Sequence, residues 1–86
     1  FVTCENRNIM IEVIKKAEDD GDLILRLYEF ENRRSQVLLT FARKMKQIWL
    51  CDMLENRQRL LAEETAVCRF TAKPYEIVTL RLVSVH

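Results

Sequence analysis

The sequence predicts an all-β fold, a small antiparallel β-sandwich of about six strands. Three observations predict it. Apolar residues alternate with polar ones at a period of two in segment after segment, the mark of strands with one buried side. These segments recur at short intervals with polar turns between them, as sandwiches require. Two of them flank an Asp20-Gly21 pair, a hairpin turn signal because glycine adopts positive φ without steric cost. A helical bundle is the rival, suggested by a charged composition with a single glycine, and the recurring alternation rejects it.

The organising stretch is Asn8 to Phe30. Its first strand is expected from about Asn8 to Lys16, with Ile9, Ile11 and Val13 on one face. Ile14 is out of phase with them, so cover on both faces is expected near the strand end. Glu18-Asp19-Asp20-Gly21-Asp22 forms the turn. The second strand is expected from Asp22 to Phe30, with Leu23, Leu25 and Leu27 inward. Its other face carries Ile24, Arg26, Tyr28 and Phe30, too apolar to be simply solvated, and a contact with a neighbouring domain is expected there. Before the hairpin, Phe1 to Arg7 reads as a lead-in.

After a polar connection at Glu31–Arg34, the third strand is expected over Ser35–Ala42, with Val37, Leu39 and Phe41 inward. Arg43 to Lys46 reads as a basic connection. The fourth strand is expected over Gln47–Leu54, where Ile48 and Leu50 alternate with Trp49, Cys51 and Met53. Two readings compete for Met53 to Glu64. Propensity favours a helix, with Met53 and Leu54 seven residues before Leu60 and Leu61. A turn at Glu55-Asn56-Arg57 followed by a short strand at Arg59–Leu61 is preferred, because the flanking strands need a compact connection. A strand over Ala66–Ala72 is ended by Lys73-Pro74, since proline lacks a ladder donor. The last strand is Tyr75–Val83, with Val78, Leu80 and Leu82 on one face. Burial of Ile77 as well would call for a bulge near Val78.

The 86 residues suit one domain, read as a single unit over 1–86. Fourteen basic side chains face thirteen acidic ones, which gives no general attraction to nucleic acid or to an anionic membrane. No apolar run approaches a membrane span. The chain opens on Phe1 without a signal-peptide pattern, so a piece of a longer polypeptide or a mature product is expected. Cys4, Cys51 and Cys68 form no close-spaced motif and read as free thiols in a reducing, cytoplasmic setting.

No residue earns a catalytic, cofactor-binding or metal-ligating role. His86 is the only histidine and sits at the terminus, where fraying is the ordinary outcome. Cys51 and Cys68 lack a CxxC or histidine partner and read as buried thiols. Glu18 to Asp22 lacks the spacing of a calcium loop. Glu29 and Glu31 would share a strand face, yet strand-edge charges are ordinary and a glycosidase pair is disfavoured. The basic region Asn32–Arg34 with Arg43, Lys44 and Lys46 has no interleaved aromatics, so solubility or an acidic partner is favoured over nucleic acid. Trp49 reads as a core or interdomain residue before it reads as a sugar platform.

Particular phrases then resemble one family. Ile14-Lys15-Lys16-Ala17-Glu18 followed by Asp22-Leu23-Ile24-Leu25-Arg26-Leu27-Tyr28-Glu29 resembles the C-terminal β-domain of glycoside hydrolase family 38 α-mannosidases. Cys51-Asp52-Met53-Leu54-Glu55-Asn56 looks like that family's D-L-x-E segment. Lys73-Pro74-Tyr75-Glu76-Ile77-Val78-Thr79-Leu80 looks like its closing P-[FY]-E-I-x-T strand. The similarity runs from about Asn8 to Val83. The resemblance implies a zinc-dependent, retaining exo-α-mannosidase parent acting on mannose-containing glycans through an Asp nucleophile and a two-His, two-Asp zinc site. Those groups belong to the family's N-terminal catalytic region, and one terminal histidine cannot supply them here. This chain is therefore expected to be a non-catalytic domain whose partner is the catalytic domain of the same polypeptide, with zinc held in that parent region. Arg26, Tyr28 and Glu29 are the set to watch, either bracing the sheet or meeting that domain. The alternative is an autonomous carbohydrate- or protein-binding module.

Overall fold

The computed structural model describes residues 1–16 and 22–84. Among them every regular element is a strand: β1 (Val2–Cys4), β2 (Ile9–Lys16), β3 (Leu23–Glu29), β4 (Ser35–Cys51), β5 (Arg57–Ala72) and β6 (Ile77–Ser84). All pairings are antiparallel, in the order β1-β4-β6-β3-β2, with β5 alongside β4. The expected all-β class and the strand number are met. The acidic turn read at Glu18–Asp22 lies outside the described residues except for Asp22, as does His86. The hairpin itself is present: β2 and β3 pair from Ile9↔Glu29 to Lys16↔Leu23.

Strand β4 belongs to two layers. Its first half pairs with β1 through Leu39, Thr40 and Phe41, and its second half pairs with β6 from Met45 to Cys51. β5 follows it along both halves. The change of layer happens where residues 41–44 lie opposite Ala66 alone, between the pairs Thr40↔Val67 and Met45↔Thr65. Surplus residues on one strand bend it and increase its twist. Glu64, with φ of 51°, supplies the matching kink on β5. The bend folds the sheet onto itself. Val37, Leu39, Cys68 and Phe70 of one half then meet Leu25, Leu27, Ile48, Leu80 and Leu82 of the other in one core. Each such aliphatic side chain contributes roughly 1.5–3 kcal/mol by leaving water.

Several expectations are corrected. Ser35–Ala42 and Gln47–Leu54 are not two strands joined by a basic connection; they are one strand, and Arg43 to Lys46 lie within it. A polar run suggests a break, but at this bend the polar residues face solvent while the ladder resumes at Met45. The stretch taken as a short strand and a separate Ala66–Ala72 strand is likewise one strand, β5, without a helix at 53–64. The lead-in Phe1–Arg7 contains β1, whose Val2 and Cys4 pack on the core. The bulge near Val78 is absent. β6 pairs regularly with β3 from Leu82 to Ile77, and Ile77 is exposed, so none is needed. The bulge lies instead in β2, between Ile11 and Val13, and it returns Ile14 to the phase of Leu25. Ile14 is nevertheless half exposed, so the cover expected at that strand end is not there.

Helix propensity at 53–64 is overruled locally by Asp52. Its carboxylate accepts hydrogen bonds from the Leu54 N–H at 2.9 Å, the Asn56 N–H at 2.9 Å and the Gln58 amide at 3.2 Å. The side chain thereby closes a turn that a helix would have to open. Those donors, the Asn56 N–H foremost, hold the Asp52 pKa below the usual carboxylate range against the opposing effect of burial. Glu55 takes φ of 68° within the turn.

Candidate functional site

The strands β2, β3, β6 and β4 bury one face in the core and present the other outward. Cross-strand register arranges the outer face in rows. One row holds Lys15, Ile24, Arg81 and Trp49. The next holds Arg26, Thr79 and Cys51, and the third Met10, Tyr28 and Ile77. Like-facing neighbours on adjacent strands are the pairs that interact.

The upper rows form an ionic lattice. Arg81 donates from Nε to Asp22 at 2.9 Å, and Arg57 reaches the same carboxylate oxygen at 3.3 Å. The Arg57 guanidinium also lies over the Trp49 ring, 5.4 Å from its centre, while the indole N–H donates to Gln47 at 3.1 Å. The turn between β4 and β5 folds across this face and brings Glu55 to Lys15 at 2.7 Å and to Arg26 at 3.9 Å. Arg26 further donates to the Thr79 hydroxyl at 3.3 Å. Beneath them Cys51 is buried, and that burial pushes its thiol pKa up, with Arg81 pulling the other way.

Burial ranks these contacts. Arg81 is 7% exposed, whereas Arg57 is on the surface. Removing the carboxylate of Asp22 by Asp22→Ala is therefore expected to cost about 3 kcal/mol, since it strips a buried cation of an anionic partner. Arg57→Ala is expected to cost under about 1 kcal/mol, as exposed ion pairs and cation–π contacts do. Urea unfolding of the two variants checks the order; equal losses would contradict it.

The third row is different in kind. Met10 and Ile77 are half exposed around Tyr28, and Phe30 and Tyr75 stand at the same end of the sheet. Beyond Cys51, which is level with Thr79, the β4–β5 turn carries Met53 and Leu54. They are 77% and 82% exposed.

Glu29, grouped in the sequence with Arg26 and Tyr28, points to the opposite face. It continues the inward phase of Leu25 and Leu27 and is fully buried. Its carboxylate accepts from the Asn8 amide at 2.7 Å, the Tyr75 N–H at 2.9 Å, the Glu31 N–H at 3.0 Å and the Arg33 N–H at 3.1 Å. Burial alone would raise its pKa; Tyr75, Asn8, Glu31 and Arg33 together outweigh that and hold it at about 2. This carboxylate ties together three turns, including Tyr75 at φ of 58°. It does not form an acid–base pair with Glu31, whose own carboxylate holds Arg33 at 2.6 Å.

Among the described residues no group of three or more His, Cys, Asp or Glu is placed to hold a metal. A cavity of about 280 Å³ opens at the bend of β4, lined by Phe1, Leu23, Arg43, Lys44, Met45 and Ser84. Among the described residues its lining holds no carboxylate, and so no pair of the kind that glycoside hydrolysis uses. Cys68 is buried and its thiol is pushed up to about 11 by loss of solvent. All three cysteines are free thiols.

A family model, the glycosyl hydrolases family 38 C-terminal β-sandwich domain, matches residues 8–80. The chain belongs to that family. No curated protein and no solved structure matches it. The family 38 match begins at Asn8, which bonds Glu29, and ends at Leu80 in the core, so it takes in β2 to β5 and the start of β6. The buried Glu29 cluster and the ionic lattice apart from Arg81 fall inside the matched residues. No helix among the described residues is long and apolar enough to cross a membrane.

Proposed function

We propose that this chain is the non-catalytic C-terminal β-domain of a family 38 α-mannosidase and that it supports the parent enzyme by packing against the rest of the polypeptide. The family match over residues 8–80 carries the reading. Removal of terminal α-mannosyl residues from a glycan would belong to the parent's catalytic region, with its zinc and its carboxylate nucleophile in a retaining mechanism. The residues described here do not fit a zinc site of their own, and no step is assigned to them. A reducing, cytoplasmic setting is consistent with three unpaired thiols.

The reading as an autonomous sugar-binding module is less well supported, because the guanidinium of Arg57 already lies over the Trp49 ring that a sugar would stack on. The 86-residue chain is expected to hydrolyse no nitrophenyl α-mannoside, with or without added zinc, and to give no heat with mannose or mannan in titration calorimetry. Turnover at enzyme-like rates would overturn the non-catalytic assignment. Saturable heat with mannan would move the function to a binding module.

A further inference from the structure

We infer that the turn joining β4 to β5, residues 52–56, is a strap latched over the outer face by Glu55, and that it lifts while the strands beneath stay paired. The inference goes beyond the supporting role and does not depend on it. Ile24, Thr79, Arg81 and Cys51 stand on the outer rows, yet all four are buried. The outer face of an antiparallel sheet is ordinarily wet, so residues there lose solvent only where something lies over them. The strap supplies part of that cover. It leaves β4 at Cys51, yet its Glu55 meets Lys15 on β2, with β6 and β3 in between. Those strands are three steps of about 4.8 Å apart. The strap and the Lys15 side chain together therefore span β6 and β3.

Two features make the strap a separable piece. Its hydrogen bonds are largely its own. The Asp52 N–H donates to the Asn56 carbonyl at 3.0 Å, and the Glu55 N–H donates to the Asp52 carbonyl at 3.0 Å. The Asp52 carboxylate takes the N–H groups of Leu54 and Asn56. Lifting the strap as a unit breaks none of these. Its grip on the sheet, in contrast, is ionic and light. Among the described residues, the ion pairs from the strap to the sheet are those of Glu55 with Lys15 and Arg26. Lys15 is exposed, and exposed pairs contribute about 0.2–1 kcal/mol each. Met53 and Leu54 could have pinned the strap by apolar contact, but both stay exposed. A segment with so few buried apolar contacts opens at a lower free energy than the core does. The outer face therefore has two states, one sealed and one in which Cys51 and Ile24 are bared.

The thiols provide the test. Cys51 reports lifting of the strap, and Cys68, buried in the core, reports opening of the sheet itself. Labelling of the 86-residue chain with N-ethylmaleimide, read by mass spectrometry of the cysteine peptides, gives both rates. Their ratio cancels a change in overall stability. Burial raises the Cys51 pKa and the Glu55 carboxylate adds to it, so the deciding variant lies on the far side of the latch, Lys15→Gln. Lys15→Gln is expected to raise the ratio of Cys51 to Cys68 labelling by about threefold, the worth of an ion pair this exposed. In a Glu55→Gln background the same change is expected to add nothing, because the latch is already gone. An equal rise in both backgrounds takes the effect away from Glu55 and overturns the inference, as does no rise in either. Cys51 and Cys68 labelling in step in every variant means that the strap opens only with the whole sheet, which overturns it too.

Discussion

Leu25→Asp is expected to abolish folding of the 86-residue chain. Leu25 is fully buried, paired with Leu80 on β6, and central to the single core that both layers share. The change removes roughly 2–3 kcal/mol of apolar burial. An unpaired carboxylate in that position costs several kcal/mol more, whether it stays ionised or is forced to take up a proton. A domain this small holds only about 5–10 kcal/mol in total. The circular dichroism of the variant should lose its strand signal and its amide spectrum should collapse to the unfolded range. Leu54→Asp provides the contrast, because a residue 82% exposed should tolerate the same substitution within about 0.5 kcal/mol. An unchanged melting curve for Leu25→Asp would show that the core is elsewhere.

Glu29 carries the second large effect, and it has a pH signature. Glu29→Ala deprives the Asn8 amide and the N–H groups of Glu31, Arg33 and Tyr75 of the buried carboxylate that accepts from all four. Loss of four hydrogen bonds to one carboxylate is expected to lower the thermal midpoint by of order 10 °C. The carboxyl titrates at about 2 in the folded chain and at 4.5 as an unperturbed group. Its contribution is therefore complete above pH 4.5 and is lost as the pH falls from 4.5 towards 2. Thermal midpoints of the unmodified chain should drop across that window, and those of Glu29→Ala should drop less. Parallel curves for the two would remove Glu29 from the account.

Alternation made much of this fold readable from the sequence. Leu23, Leu25 and Leu27, and then Val78, Leu80 and Leu82, declare which way β3 and β6 face, and the structure places them so, Leu23 partly and the others fully buried. The continuity of β4 was not readable, because a bend and a loop look alike in a polar run such as Arg43-Lys44 when the partner strand is unknown. Helix propensity in Met53–Glu64 misled for a related reason: the side-chain bonds of Asp52 and the ladder with β4 outweigh a few tenths of a kcal/mol per residue. Glu29 did leave a trace. It sits in phase with Leu25 and Leu27, and a charged residue at an inward position announces a buried partner set. Its partners, however, come from residues 8, 31, 33 and 75, and no local pattern links them. Of the two readings offered for Arg26, bracing of the sheet has contacts to show, with Glu55 and Thr79, while Glu29 proved to belong to the other side.

One backbone strand, β4, serves as a rail for both layers. Sliding one layer over the other would tear its hydrogen bonds on both edges, so the layers cannot shear independently. Slowly exchanging amides on β3, β4 and β6 should accordingly share one opening free energy, that of complete unfolding. A load applied at the Met10–Ile77 end would then pass undiminished to the bend at Ala42–Lys44, which makes the sandwich a stiff strut with no internal hinge.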